Sequence, residues 1–291
     1  MADQADPLFS RKHLRISLRQ RRERRELTQK QVARALDWSE SKVVRIENGA
    51  VRVSTTDLRA LLALYETTQE NEISRFVELA RAARGRPWYS EHESALDPDF
   101  AEYLGYEGSA TMIATFQPLL IPGLLQTEDY ARAVMTANGA SHMEDRLRVR
   151  FTRQARLARE EGPFLQCVID EAALHRQVGG PAVMREQLIR LREASEPRIS
   201  VRIVPFTAGA HPSMTEPFTI LVVDPEDPED VLFREAATRT VTSREDHDLL
   251  AGYTIRFEHL REMSVEHEQA RLLIDNAIQG LRDAVPASQP G

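Results

Sequence analysis

Apolar positions change their period along this chain, and the change divides it in two. From Leu14 to Ala80 they recur every three or four residues, the repeat of amphipathic helices. Leu14, Leu18 and Arg22 mark a first helix that runs into Arg19-Gln20-Arg21-Arg22-Glu23-Arg24-Arg25. Thr28-x-x-Gln31 has the form of a capping box and opens a second helix through Val32, Ala33 and Leu36. Asp37-Trp38 breaks it, and Ser39 is the N-cap candidate of a third helix with Val43 and Ile46 inward. Asn48-Gly49 ends that helix. Ser54-Thr55-Thr56-Asp57 opens a fourth, with Leu58, Leu61, Leu62 and Tyr65 on its inner face, and a fifth spans about 69–83 through Ile73, Phe76, Val77 and Ala80.

Arg84-Gly85-Arg86-Pro87 carries both helix breakers and predicts a boundary, with Trp88-Tyr89 anchoring the next domain. Beyond it helical and strand-like patterns alternate. Residues 95–106 read as a helix, and 110–116 as a strand or a buried helix end. An apolar loop, 119–127, turns at Pro122-Gly123 before a helix capped by Thr127 with Tyr130, Ala131 and Val134 inward. Residues 143–159 form a long helix with six arginines and an inner line of Leu147, Phe151 and Ala155. Strands follow at 164–169, 199–204, 218–223 and 231–233, the last two neighbours around an acidic loop at 224–230. Helices are expected at 171–176, 182–194, 244–263 and 265–281. The fold class predicted is a mainly α N-terminal five-helix domain plus a larger mixed α/β C-terminal domain. Its parts are a flexible N-terminus (1–13), a helix-turn-helix domain (14–68), helix five and linker (69–87), the α/β domain (88–283) and a flexible tail (284–291).

Charge sharpens this division. The net charge of −7 conceals a basic head: residues 1–87 hold 18 Lys+Arg against 12 Asp+Glu, and the remainder 20 against 33. Residues 11–52 alone hold 13 against 5. A basic module joined to an acidic one is the footprint of a polyanion binder with a separate control domain. No apolar run approaches the roughly 18 residues of a membrane helix, and the N-terminus lacks a signal-peptide pattern. Cys167, the single cysteine, cannot form an internal disulfide and reads as a small core hydrophobe. The expected location is cytoplasmic, on the nucleoid, with no membrane partner.

Two short helices joined by a tight turn are a helix-turn-helix, whose second helix enters the major groove of double-stranded DNA. The run Leu27-Thr28-Gln29-x-x-Val32-Ala33-x-x-Leu36, then Ser39-x-Ser41-x-Val43-x-x-Ile46-Glu47-Asn48-Gly49, resembles the Cro/C1-type (XRE) helix-turn-helix family over about residues 14–68. The resemblance implies that Gln29 contacts a phosphate beside the amides of the second helix, at Thr28. It places Glu40, Ser41 and Arg45 at base-reading positions, beside Ser39, and sets Lys42 and Arg52 on phosphates. Arg22 and Glu47 match a structural ion pair. Glu40 also suits a positive helix end, and Lys42 a solvated surface, so both alternatives stand. A module of this size is expected to bind as a homodimer on paired half-sites.

The second half is similar to the domain of unknown function that follows such a helix-turn-helix in many actinobacterial regulators, also described as antitoxin-like. The similarity rests on Trp88-Tyr89, Pro122-Gly123-Leu124-Leu125-Gln126-Thr127-x-x-Tyr130-Ala131, Arg153-Gln154, Asp170-Glu171-Ala172-x-Leu174 and Gly180 followed by Met184-x-x-Gln187-Leu188. It implies a small partner protein, often encoded nearby. Leu120, Pro122, Leu124, Leu125 and Tyr130 form the candidate partner or ligand surface, against the alternative of a buried turn. The arginine-rich helix either extends the DNA footprint or is a solvated face of paired charges. No catalytic constellation, cofactor motif or metal pattern is expected. The leading expectation is a sequence-specific DNA-binding transcriptional regulator whose acidic domain dimerises and receives a partner or small-molecule signal. The alternative is an antitoxin-like protein that holds a small partner, with DNA binding as autoregulation.

Overall fold

The computed structural model describes residues 6–194, 197–211, 213–223, 230–234, 240–242 and 246–283. Two compact units emerge, Met1–Glu91 with Leu104–Ser109, and His92–Tyr103 with Ala110–Gly291. The expected tail (284–291) and most of the acidic loop (224–229) lie outside the described residues.

Five helices build the first unit: α1 Pro7–Arg24, α2 Gln29–Ala35, α3 Glu40–Glu47, α4 Thr55–Leu64 and α5 Glu70–Ala82. The first begins seven residues before the position expected, which makes 7–13 helical within the stretch expected to be flexible; residues 1–5 of that stretch lie outside the described residues. Asp6 caps it, its Oδ1 accepting from the Leu8 amide at 2.8 Å, and Pro7 supplies a preset first helical position. Phe9, Ser10 and His13 are buried in those added seven residues, where Phe9 packs on His13 and Tyr106. The core of the unit gathers the inner faces read from the sequence: Leu14 and Leu18, Val32 and Ala33, Val43 and Ile46, Leu58, Leu61, Leu62 and Tyr65, then Phe76, Val77 and Ala80.

The domain boundary also moves. Arg84–Pro87 does end α5, but it is pinned rather than loose: Arg11 donates to the Ala83 carbonyl at 2.9 Å and to that of Gly85 at 3.0 Å. Trp88 and Tyr89 belong to the first unit, not the second, and Tyr89 is buried there.

The second unit is a mixed sheet with helices, in the strand order β3-β2-β1-β4-β5-β6. Strands β1 Met112–Gln117, β2 Phe164–Asp170 and β3 Ile199–Val204 run parallel. Parallel neighbours need long crossovers; α7 Glu128–Ala137 and α8 Met143–Leu157 supply the first, α9 Ala172–His175 and α10 Pro181–Glu193 the second. Antiparallel strands β4 Phe218–Val222, β5 Val231–Arg234 and β6 Thr240–Thr242 extend the other side. The stretch 110–116, open between strand and helix by pattern, is largely central β1, Met112–Gln117. Its four inner residues are all buried, so alternation is absent and the period carries no signal. The three-residue β6 was not anticipated; Thr-Val-Thr is too short to show a repeat.

Helix α6 is Pro98–Glu107, and α11 His247–Met263 and α12 His267–Asp283 close the chain. Tyr253, Phe257 and Leu260 of α11 cover one face of the sheet over Ala114, Phe116, Phe218 and Leu232. Helix α8 differs from its expected inner line: Leu147, Val149, Arg153 and Leu157 are buried, while Phe151 is half-buried and Ala155 exposed. It presents two contact faces rather than one. Leu147 joins Ala131 and Met135 of α7, and a second face carries Val149 and Arg153.

Candidate nucleic-acid interface

The helix-turn-helix is held by a small number of polar contacts at its joints. Thr28 caps α2 in a complete capping box, its Oγ1 accepting from the Gln31 amide at 3.2 Å while the Thr28 amide donates to Gln31 Oε1 at 2.8 Å. The turn to α3 passes through Asp37 in the left-handed region (φ 55°), a conformation that Asp tolerates better than most residues. The Trp38 amide then donates to the Ala33 carbonyl at 2.8 Å, closing α2 onto the turn. Ser39 occupies the N-cap of α3 with extended backbone, but its hydroxyl does not cap the helix. It lies 3.2 Å from the Ser41 hydroxyl instead. Gly49 (φ 69°) takes the left-handed position after α3, and the Ala50 amide returns to the Arg45 carbonyl at 2.9 Å.

The ion pair implied by the resemblance is present. Arg22 Nε donates to Glu47 Oε1 at 2.6 Å and Nη2 to Oε2 at 3.1 Å, a two-pronged guanidinium–carboxylate pair. Arg22 Nη1 also donates to the Leu27 carbonyl at 2.7 Å, so one side chain ties α1, the α1–α2 turn and α3. The hydrogen bond to Glu47 holds the Arg22 pKa above its ordinary value, against burial. Burial, with the Glu47 charge second, pushes the neighbouring Tyr65 hydroxyl up.

Glu40, Ser41 and Arg45 are exposed on α3, as expected of groups that meet base edges. Arg45 Nε rests on the Ser41 carbonyl at 3.2 Å, and Arg52 is exposed beyond the helix. Two of the residues implied to meet phosphates have partners within the unit. Gln29 is half-buried, with its amide nitrogen 2.8 Å from Glu47 Oε2. Lys42 is half-buried, with Nζ 2.7 Å from Asp57 Oδ1 and 3.7 Å above the Trp38 ring. By pattern Asp57 belongs only to the α4 cap, and nothing in the linear order joins it to Lys42. The basic run of α1 is likewise laced with pairs: Arg19 with Glu23 at 2.9 Å, Arg21 with Glu72, and Arg25 with Glu66.

In the second unit the loop before α7 is a buried turn. Ile121, Pro122, Leu124, Leu125 and Tyr130 are buried and Leu120 half-buried, the burial that the alternative of a buried turn describes, and Leu120, Pro122 and Leu124 also line a cavity. The reason is a set of hydrogen bonds that fold the loop inward. Gln187, with no exposure, accepts from the Thr127 amide at 2.7 Å and donates to the Leu125 carbonyl at 2.9 Å. Gln154 donates to the carbonyls of Gly123 and Gln126, and the Ile121 amide donates to the Tyr130 hydroxyl at 3.2 Å. The inner side of this loop, with β1, α7, α8 and the β4–β5 pair, walls a cavity of about 210 Å³. Arg146, Arg150 and Arg153 line it, so the arginine-rich helix is not wholly a solvated face; their spacing puts them on one face, but nothing in the sequence says that this face meets a cavity. Among the described residues no group of three or more His, Cys, Asp or Glu is placed to share a metal ion, and no helix is long and apolar enough to cross a membrane.

The geometry so far defines a helix-turn-helix protein with a second, mixed α/β domain. Comparison with known families agrees: residues 13–76 match the family described as Helix-turn-helix domain, and residues 100–276 match that described as Domain of unknown function (DUF5753). The second match spans more than half of the chain, which therefore belongs to the DUF5753 family. No curated protein and no solved structure matches. The helix-turn-helix match supports a DNA-binding regulator.

Proposed function

We propose that the protein is a sequence-specific transcriptional regulator of the XRE type, a homodimer on DNA, whose second domain is a signal-receiving module rather than an enzyme. The observation that carries this reading is the locked seat of α3. Arg22 and Glu47 fix that helix from behind at 2.6 Å, while Glu40, Ser41 and Arg45 stand exposed on it. Arg45 suits guanine O6 and N7 in the major groove, and Glu40 suits cytosine N4. The partner-holding alternative rests on the resemblance of the second domain; it differs from this reading in requiring a bound partner before DNA is held tightly.

The test is fluorescence anisotropy of the purified full chain on duplexes from the region upstream of its own coding sequence, against scrambled duplexes, over a series of salt concentrations. We expect a preference of roughly a thousandfold or more and affinity falling linearly with salt on logarithmic axes. Equal affinity for scrambled duplex, or binding seen only after a partner is added, would overturn this reading.

A further inference from the structure

The cavity in the second unit has a built polar end. Arg146, Arg150 and Arg153 stand four and three residues apart on α8, so they share one face of the helix, and all three line the cavity. Like charges at those spacings oppose the helix, so its own stability does not explain the stripe. Two of the guanidinium groups converge. A Cβ placed on Gly123 would lie 3.4 Å from Arg150 Nη1 and 3.9 Å from Arg153 Nη1.

Both groups are held in place. Arg153 is 8% exposed, with its guanidinium carbon 5.5 Å from the Phe100 ring centre and 5.4 Å from that of Tyr103. Arg150 donates to Gln126 Oε1, and Gln126, itself buried, is anchored by its amide to the Ile121 carbonyl at 2.7 Å. Both guanidinium groups border the void at the same end, beside Gly123. The described lining carries these three arginines and no acidic side chain, in a domain whose sequence is acidic overall. The rest of the lining mixes polar groups such as Thr115 and Thr219 with Ile113 and the rings of Tyr103 and Phe233, which lie 4.4 Å apart.

We propose that this cavity binds a small organic carboxylate, its acid group on Arg150 and Arg153 and its ring or short alkyl body against the rings of Tyr103 and Phe233. Resting on the reading of this domain as a signal receiver, the assignment supplies the chemical class of the signal. Guanidinium forks match a carboxylate through two parallel hydrogen bonds. The size also fits. An apolar cavity of about 150 Å³ takes one benzene ring, and about 210 Å³ leaves space for a short acid arm.

Isothermal titration of the full chain with phenylacetate and 3-phenylpropionate tests this, with phenylacetamide, benzylamine and inorganic phosphate as comparisons. We expect one carboxylate per chain, and phenylacetamide weaker by at least about tenfold, because a charge-assisted pair is lost. Benzylamine and phosphate should not bind, the first for its charge and the second for its lack of an apolar body. Arg153→Gln should weaken phenylacetate by a similar factor. Gly123→Ala provides a milder variant, since its new methyl meets only side-chain atoms at ordinary contact distance; it should keep the circular dichroism and melting temperature and still weaken the carboxylate. Equal binding of acid and amide, binding of phosphate alone, or no heat at millimolar carboxylate would each overturn the assignment. Anisotropy of the same samples on DNA separates the two readings. Carboxylate binding with DNA affinity unchanged leaves the cavity assignment standing and removes signal reception.

Discussion

Arg22 grips Glu47 at both carboxylate oxygens, at 2.6 and 3.1 Å, across the interior of the helix-turn-helix unit. Their side chains are only 11% and 4% exposed, so water screens the pair little. Glu47 also receives the Gln29 amide, which makes it the junction of α1, α2 and α3. Glu47→Ala strands a nearly buried guanidinium and should destabilise the unit by about 3 kcal/mol. Arg22→Ala/Glu47→Ala together should cost less than the two single changes summed. Amide hydrogen exchange of α1–α3 in the full chain reads this directly, and unchanged protection in Glu47→Ala would contradict it.

Exposed Arg45 and paired Lys42 predict different behaviour on DNA. Arg45→Ala should cost about 1–3 kcal/mol of discrimination at one base pair, seen as lost preference in a randomised-site selection. Gln29→Ala should weaken all duplexes alike, with their ranking kept. Arg52→Ala should lower the salt slope by about one. Lys42→Ala should leave that slope nearly unchanged, because its ammonium already sits on Asp57. A slope lowered equally by both variants would show that Lys42 leaves Asp57 when DNA binds.

Much of this arrangement is legible in the linear order where a local rule governs it. The capping boxes, the Gly49 stop and the apolar repeat place α2 to α5 within a residue or two, because each signal acts within one helical turn. The Arg22–Glu47 pair follows from resemblance, since no local rule links residues 25 apart. What stayed illegible was set by tertiary contacts. The Lys42–Asp57 pair joins two helices, central β1 is masked by burial on both faces, and the inward turn of the 120–127 loop depends on Gln187, 60 residues from Thr127. Hydrophobicity alone marked that loop as apolar; it did not say which way the apolar side faced.

Gln187 offers a check on that loop. Replacing it with Leu keeps much of the volume but leaves the Thr127 amide and the Leu125 carbonyl without this partner in a dry interior. An unsatisfied buried polar group costs about 1–3 kcal/mol, so Gln187→Leu should lower the melting temperature clearly. Gln187→Glu sets a carboxylate oxygen against the Leu125 carbonyl in that interior, and should also melt below the parent. Differential scanning calorimetry of the three full chains gives the order, and a Leu variant as stable as the parent would show that the loop is fixed by packing alone.

Cys167 supplies a pH-dependent test of the sheet. It lies on β2, 1% exposed, and burial pushes its thiol well above the ordinary range of about 8.5. The folded state therefore keeps its proton to a higher pH than the unfolded state. The stability this supplies is full below about pH 8.5 and declines above it, by up to about 1.4 kcal/mol per pH unit while only the unfolded chain ionises. Cys167→Ala loses some packing at neutral pH but abolishes this thiol's share of the alkaline decline. Denaturation midpoints of parent and variant should thus approach each other between pH 8.5 and 10. The native thiol should also resist a disulfide reagent at pH 8 and react only as denaturant opens the sheet. Rapid labelling of the folded chain, or parallel pH curves for the two proteins, would show that β2 opens to solvent without unfolding.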